Sequence, residues 1–190
     1  MNLLKLLAIV FFFSACTENK HRAQAAEQIK VDTATGTYIK ALEELMNDLK
    51  SEDVNKIKKH FSFPINNPSL TMLIDNDLSY DEALKLPVSE KKFAKKYRNI
   101  FYSRKFNEAV RQIQFADLYS KNYQKIKVNI SEICYYYLDV IIVQGEKRVI
   151  VSEGVEADSK ENDKGCKEAT FVWWFKLIDG HLVYEDFSFA

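Results

Sequence analysis

The chain reads as an α+β domain whose N-terminal helices pack on a curved antiparallel meander sheet, and three features predict it. Apolar residues recur at helical spacing over 37–50 and again after Ser89. The period turns strand-like after Tyr123, and the C-terminal run from Ala169 to Phe189 is folded in half by Asp179-Gly180, a turn signal. Helices first and a meander second is the order of an α+β domain.

The elements follow from local patterns. Tyr38, Ala41, Leu42, Leu45, Met46 and Leu49 share a face opposite Glu43, Glu44, Asn47 and Asp48, which predicts an amphipathic helix. Ser51 has the chemistry to cap a short second helix bearing Val54, Ile57 and Phe61 on one side, and Phe63-Pro64 ends it. Leu70 to Ile74 reads as a short strand before the turn Asp75-Asn76-Asp77. Ser79 and Glu82 make a capping box for a brief helix stopped by Pro87. Ser89 opens a helix with the inner stripe Phe93, Tyr97, Ile100 and Phe101, which residues 104–113 extend or follow.

Lys127 to Val143 and Lys147 to Val155 read as one long hairpin about Gly145-Glu146, a two-residue turn with Gly in its first central position. Residues 156–167, with Glu156, Asp158, Glu161 and Asp163 between Glu153 and Glu168, read as a solvated acidic loop. In the last hairpin the turn pairs Ile178 with His181, Phe175 with Tyr184, Trp173 with Asp186 and Phe171 with Ser188. This register gathers Phe171, Trp173, Phe175, Leu177, Leu182, Tyr184 and Asp186 on one face.

The 190 residues carry 27 basic and 27 acidic side chains, without the basic excess of a nucleic-acid binder. Thirteen Phe, ten Tyr and two Trp are ample core material, so a domain of this size needs neither a metal nor a disulfide to hold it together.

The N-terminus has the outline of an export signal. Lys5 precedes the apolar run Leu6 to Phe13, which as a helix spans roughly 12 Å against a hydrocarbon core of about 30 Å, too short to cross. Phe13-Ser14-Ala15-Cys16 then resembles the bacterial lipobox, with Phe13 in place of the usual Leu. That resemblance implies cleavage after residue 15, lipid such as palmitate on Cys16, and, with Thr17 rather than Asp following, the periplasmic face of the outer membrane. Cleavage after Ala23-Gln24-Ala25 is the alternative and would release a soluble protein. Residues 16–36 are polar and read as the lipidated Cys16 and a tether, with one domain over 37–190.

The order helix, short helix ending Phe61-Ser62-Phe63-Pro64, further helix, and a terminal Trp173-Trp174-Phe175 strand turning at Asp179-Gly180-His181 is similar to the nuclear-transport-factor-two-like superfamily. The resemblance covers residues 37–190 and implies a cone-shaped fold with a cavity between sheet and helices. Members include isomerases, dehydratases and non-catalytic binding domains, so fold alone does not assign function.

A cavity enzyme needs an acid or base inside the cone. Asp186, in the row of Trp173 and Tyr184, is the first candidate, with Tyr184 or Tyr137 as hydrogen-bond donor, and Asp139 is the second. Tyr137, Trp173, Tyr184 and Asp186 would then line the ligand pocket. The alternative is that both acids lie at a sheet end and face water. Asp75-x-Asp77-x-Ser79 imitates the start of a calcium loop, but Tyr80 stands where the turn Gly belongs and Leu86 where the closing Glu belongs. His21, His60 and His181 are scattered, no glycine-rich phosphate loop is present, and neither metal nor cofactor is expected.

Cys134 and Cys166 would meet an oxidising compartment after export. In the simplest meander they stand two strands apart, about 10 Å, beyond a disulfide's reach, unless the loop before Cys166 closes the gap. Eight basic residues between Lys91 and Arg111 face only Glu90 and Glu108, either a patch for anionic lipid or an acidic protein, or simply a solvated helix face. The leading expectation is a lipid-anchored, non-catalytic module binding a small ligand or protein, for example an immunity protein against a periplasmic toxin. The alternatives are a cavity enzyme using Asp186 or Asp139 and a structural accessory of an envelope complex. The sheet also offers a surface for a homodimer.

Overall fold

The computed structural model describes residues 35–101, 104–157, 166 and 169–189. Residues 1–34, where the export signal, Cys16 and the tether are expected, lie outside them, as does most of the acidic loop.

Among the described residues seven helices precede a five-stranded antiparallel sheet whose strands neighbour one another in chain order, and the fold class is α+β. Helix α1 runs over 35–50 and buries Leu42, Leu45 and Met46 completely. The Tyr38 phenol donates to the Gln144 carbonyl (3.1 Å), tying this helix to the 3₁₀ turn at Gln144–Glu146. Helix α2 (Val54–Ile57) continues as a 3₁₀ turn, Lys58–His60. Its cap is Asp53, whose carboxylate accepts from the Asn55 amide, and not Ser51, whose hydroxyl is turned back on the Asp48 carbonyl.

Leu70 to Ile74 is helix, not strand. Asn67 caps α3 (Pro68–Ile74) by accepting from the Leu70 amide at 2.7 Å, and Pro68 occupies the first turn, where its missing N–H costs nothing. Asn and Pro together at a helix start outweigh the β-leaning Leu-Thr-Met-Leu-Ile run. The capping box of Ser79 and Glu82 is formed at α4 (Tyr80–Ala83). Helices α5 (Glu90–Phe101), α6 (Arg104–Val110) and α7 (Phe115–Lys121) complete the layer, α7 ending on a left-handed Asn122.

The expected long hairpin is in fact two. Strands β1 (Tyr123–Asn129) and β2 (Cys134–Val143) are separated by a turn in which the Ser131 hydroxyl accepts from the Ile133 and Cys134 amides. Strand β3 (Arg148–Ala157) follows a 3₁₀ turn, Gln144–Glu146, and the left-handed residue is Lys147, so the Gly145-Glu146 turn expected from sequence does not form. Strands β4 (Ala169–Ile178) and β5 (His181–Phe189) join through Asp179 and Gly180, both at positive φ, as a tight hairpin turn of primed type requires.

The core lies between the helices and one sheet face, formed by Ile126 and Val128 of β1, Tyr136, Leu138, Val140 and Ile142 of β2, Val149 and Val151 of β3, Trp173 and Phe175 of β4, and Leu182 and Phe187 of β5. At about 25 cal/mol per Å² of apolar surface removed from water, a fully buried Trp or Phe here contributes roughly 2 to 3 kcal/mol. His60 staples the layers: Nδ1 donates to the Leu182 carbonyl (2.8 Å), and Nε2 faces the Asp48 carboxylate (3.1 Å).

Candidate functional site

The sheet separates the residues expected to line one pocket. Trp173 is buried on the helix side, and Tyr184 lies there too, stacked on Phe61 with ring centroids 5.1 Å apart. Tyr137, Asp139 and Asp186 lie on the opposite face. The physical cause at Asp186 is a β-bulge between Trp174 and Phe175. Ile178 pairs with His181 and Phe175 with Tyr184, as expected, but Glu185 is then extra. Trp174 therefore pairs with Asp186, Trp173 with Phe187 and Phe171 with Phe189. A one-residue slip exchanges the faces, so Phe187 enters the core where Asp186 was expected and Asp186 is exposed.

Asp186 instead serves the helix layer. The Asn67 side chain donates to its carboxylate at 2.6 Å and to the Phe187 carbonyl at 2.9 Å, while also capping α3. Removing these bonds together in Asn67→Ala costs about 2 kcal/mol, a lost cap plus a lost clamp. Asp186→Asn keeps an acceptor and costs under about 1 kcal/mol. Urea midpoints measure both, and a reversed order would contradict this placement.

Asp139 lies in a polar and aromatic lattice on the outer face. Lys125 Nζ binds Glu156 at 3.0 Å, approaches Asp139 at 3.9 Å and sits 4.6 Å from the centroid of the Tyr137 ring. Lys127 covers the Tyr135 ring at 3.9 Å, and the Tyr135 hydroxyl donates to Glu156. Burial raises the Asp139 carboxyl above its ordinary range, and Lys125 pulls against that shift. For Glu156 burial pushes upward, but hydrogen bonds from Tyr135 and Lys125 prevail and hold it low. The Tyr137 hydroxyl is taken by Thr170 (2.8 Å), and its ring crosses Gly154, where an added Cβ would stand 2.1 Å from the Ala169 carbonyl oxygen.

The buried acid on the helix side among the described residues is Glu153, which in the sequence stands beside the acidic loop. It is 7% exposed, in mid-strand, with the parity of Val149 and Val151. That parity was visible in the sequence and would have found it. The Tyr136 hydroxyl donates to one carboxylate oxygen, and Trp173 Nε1 donates to the other at 3.3 Å. Among the described residues no basic side chain pairs with Glu153, and burial pushes it up to about 7, with the two hydrogen bonds opposing. Burial, then the charge of Glu153, raises Tyr136. A carboxyl poised near neutrality is what acid–base chemistry requires. The neighbouring void, bounded by Met46, Leu49, Phe106, Val151, Trp173 and Phe175, is only about 10 Å³, one water at most.

On the other face Tyr135 and Tyr137 are buried beneath lysines, but part of the surface is less covered among the described residues. Tyr123 pairs with Ile141, Ile141 with Ile150, and Ile150 with Trp174, so a row of apolar side chains crosses four strands, none of them buried. At its end Trp174, Arg148, Glu185 and Asp186 line a groove of about 290 Å³. Arg148 is held by Glu185 and Glu146, which raises the guanidinium's pKa and lowers that of Glu185.

Cys134 and Cys166 form a disulfide, with Cα atoms 5.9 Å apart. Cys134 starts β2 opposite Ala157, the end of β3, and Cys166 lies in the β3–β4 connection, which returns to that corner. Asp75 of the calcium-like run is paired with Lys92 (2.6 Å), and the Ser79 hydroxyl with Glu82. Among the described residues no group of His, Cys, Asp or Glu has metal-binding geometry, and no helix is long and apolar enough to cross a membrane. The chain matches no family model, no curated protein and no solved structure.

Proposed function

We propose that this protein is a lipid-tethered, non-catalytic binding module of the bacterial envelope that holds a protein partner on the uncovered face of its sheet. The observation that carries this is the contrast between the faces: about 10 Å³ beside Glu153, against a cross-strand apolar row ending in a groove of about 290 Å³. Apolar side chains left on a sheet face, rimmed by Arg148, Glu185 and Lys176, have the composition of a partner surface. The helix-on-sheet layout supports a nuclear-transport-factor-two-like, cone-shaped domain, and Phe13-Ser14-Ala15-Cys16 supports the anchor at the outer membrane. An immunity protein facing a periplasmic toxin is one form of such a module; a second copy packed sheet to sheet is another.

A photo-crosslinking amino acid at Ile150 of the full chain, in its own cells, is expected to trap one discrete protein, and Trp174→Ala to abolish the product. A probe that traps nothing overturns the binding reading. Radiolabelled palmitate should enter the wild type but not Cys16→Ser, and label in that variant overturns the anchor. The second reading, a cavity enzyme, now rests on Glu153 with Tyr136 and not on Asp186 or Asp139, because only Glu153 is both buried and raised to about 7 on the helix side. It requires Glu153→Gln to abolish an activity while the fold persists.

A further inference from the structure

Charge is segregated along this neutral chain. Residues 90–111 hold eight basic and two acidic side chains, leaving nineteen basic against twenty-five acidic over the rest. Much of that excess lies on α5. At 100° per residue, Lys91, Lys92, Lys95, Lys96 and Arg98 fall within about 160° of the helix circumference, opposite the buried Phe93, Tyr97 and Ile100. The acid of this helix, Glu90, is engaged by Lys58 at 2.7 Å, and Lys92 by Asp75, but Lys91, Lys95 and Lys96 make no ion pair among the described residues.

A second observation adjoins it. Just before α5, Tyr80 is 55% exposed, Leu84 58% and Leu86 45%. The Leu84 amide donates to the Tyr80 carbonyl (3.0 Å), so these two side chains stand on one side of a helical turn. The Leu86 carbonyl is held by the Thr71 hydroxyl at 3.1 Å, which fixes the backbone that presents its side chain. Lys91 lies five positions after Leu86, at most about 18 Å of chain, and the Lys92–Asp75 pair ties α5 to the turn leading into α4. Exposed leucines and a tyrosine in the segment that leads into these lysines are the composition of an interfacial membrane surface: aromatic and aliphatic groups enter the headgroup region while cations meet anionic lipid.

We infer that Tyr80, Leu84 and Leu86, together with Lys91, Lys95 and Lys96, rest on an anionic phospholipid bilayer. An acidic protein would engage the lysines equally well, but the three exposed apolar side chains favour lipid. The inference draws support from the proposed anchor. A tether of about twenty residues reaches on the order of 25 Å, so lipid on Cys16 would hold the patch at high effective concentration beside the membrane and a weak surface would suffice.

The test is co-sedimentation of the chain from residue 16, carrying Cys16→Ser and therefore unlipidated, with vesicles of phosphatidylcholine alone or with one part in three of phosphatidylglycerol. Binding is expected to the anionic vesicles only, and to weaken as salt is raised. Lys91→Gln/Lys95→Gln/Lys96→Gln should weaken it on the order of 100-fold. Leu84→Asn/Leu86→Asn should weaken it on the order of tenfold while leaving the salt dependence. All these side chains are exposed or half-buried, and far-UV circular dichroism confirms that each variant is folded. Failure to sediment with anionic vesicles in low salt, equal binding to both vesicle types, or an unaffected triple variant would each overturn the inference. Palmitate labelling of Cys16 reads the anchor independently, so either can fail alone.

Discussion

Glu153→Gln is expected to make the protein more stable than wild type by about 3 kcal/mol at pH 8 and by under about 1 kcal/mol at pH 5. In the unfolded chain this carboxyl titrates near its ordinary value of 4.5, and in the folded chain burial pushes it up to about 7. Between those values the native state keeps a proton that the unfolded state has lost, so stability falls as pH rises. The contribution is whole below about pH 4.5 and gone above about pH 7, and 2.5 pKa units amount to about 3 kcal/mol. Glutamine removes the charge but not the hydrogen bonds: its oxygen accepts from Trp173 Nε1, and its amide donates to the Tyr136 oxygen. Glu156 and Glu185 are held low, so their contributions have the opposite sign, present above their unfolded pKa values and lost as pH falls. They titrate in both proteins and cancel in the comparison. Urea denaturation of both proteins at pH 5 and pH 8 measures the effect. An equal difference at the two pH values would mean that Glu153 does not titrate between them.

Removing the disulfide in Cys134→Ala/Cys166→Ala is expected to cost about 3 to 4 kcal/mol. The bond joins residues 32 apart, and closing a loop of that length withdraws roughly this much entropy from the unfolded ensemble at 25 °C. The loop enclosed contains most of β2 and all of β3, so the bond also ties the corner where β2 begins to the connection entering β4. Reductant should lower the wild-type denaturation midpoint to that of the double variant and leave the double variant unmoved. Two alkylatable thiols in the untreated protein would show that the bond does not form.

Legibility followed the range of each interaction. The helix at 37–50, the Ser79–Glu82 capping box and the Asp179-Gly180 turn are written in adjacent residues, and the structure has all three. Near that turn the β4–β5 register was also legible, through Phe175 opposite Tyr184. Beyond it the bulge at Trp174 inserted Glu185 and reversed every later residue. The pair at the bulge, Trp174 of β4 and Asp186 of β5, faces outward, where Arg148 of β3 holds Glu185 and Asn67 of α3 holds Asp186. Those partners stand 37 and 119 residues away in sequence, and no local pattern could weigh them. The Cys-Tyr-Tyr-Tyr-Leu-Asp stretch of β2 hid its parity differently: it is apolar or aromatic on both faces, because Tyr135 and Tyr137 are covered by lysines and Tyr136 by the core.

By itself the sequence determined the fold class, most helix positions and the pairing nearest the last turn, since 3.6- and 2-residue periods and turn chemistry are properties of neighbouring residues. The tertiary structure alone decided that Asp186 stands outside, whereas the parity of Glu153 with Val149 and Val151 is already readable in the sequence. Side chains of alternate residues leave a strand on opposite faces, so one inserted residue is enough to send Asp186 to solvent and leave Glu153, with Tyr136 and Trp173, as the carboxyl inside.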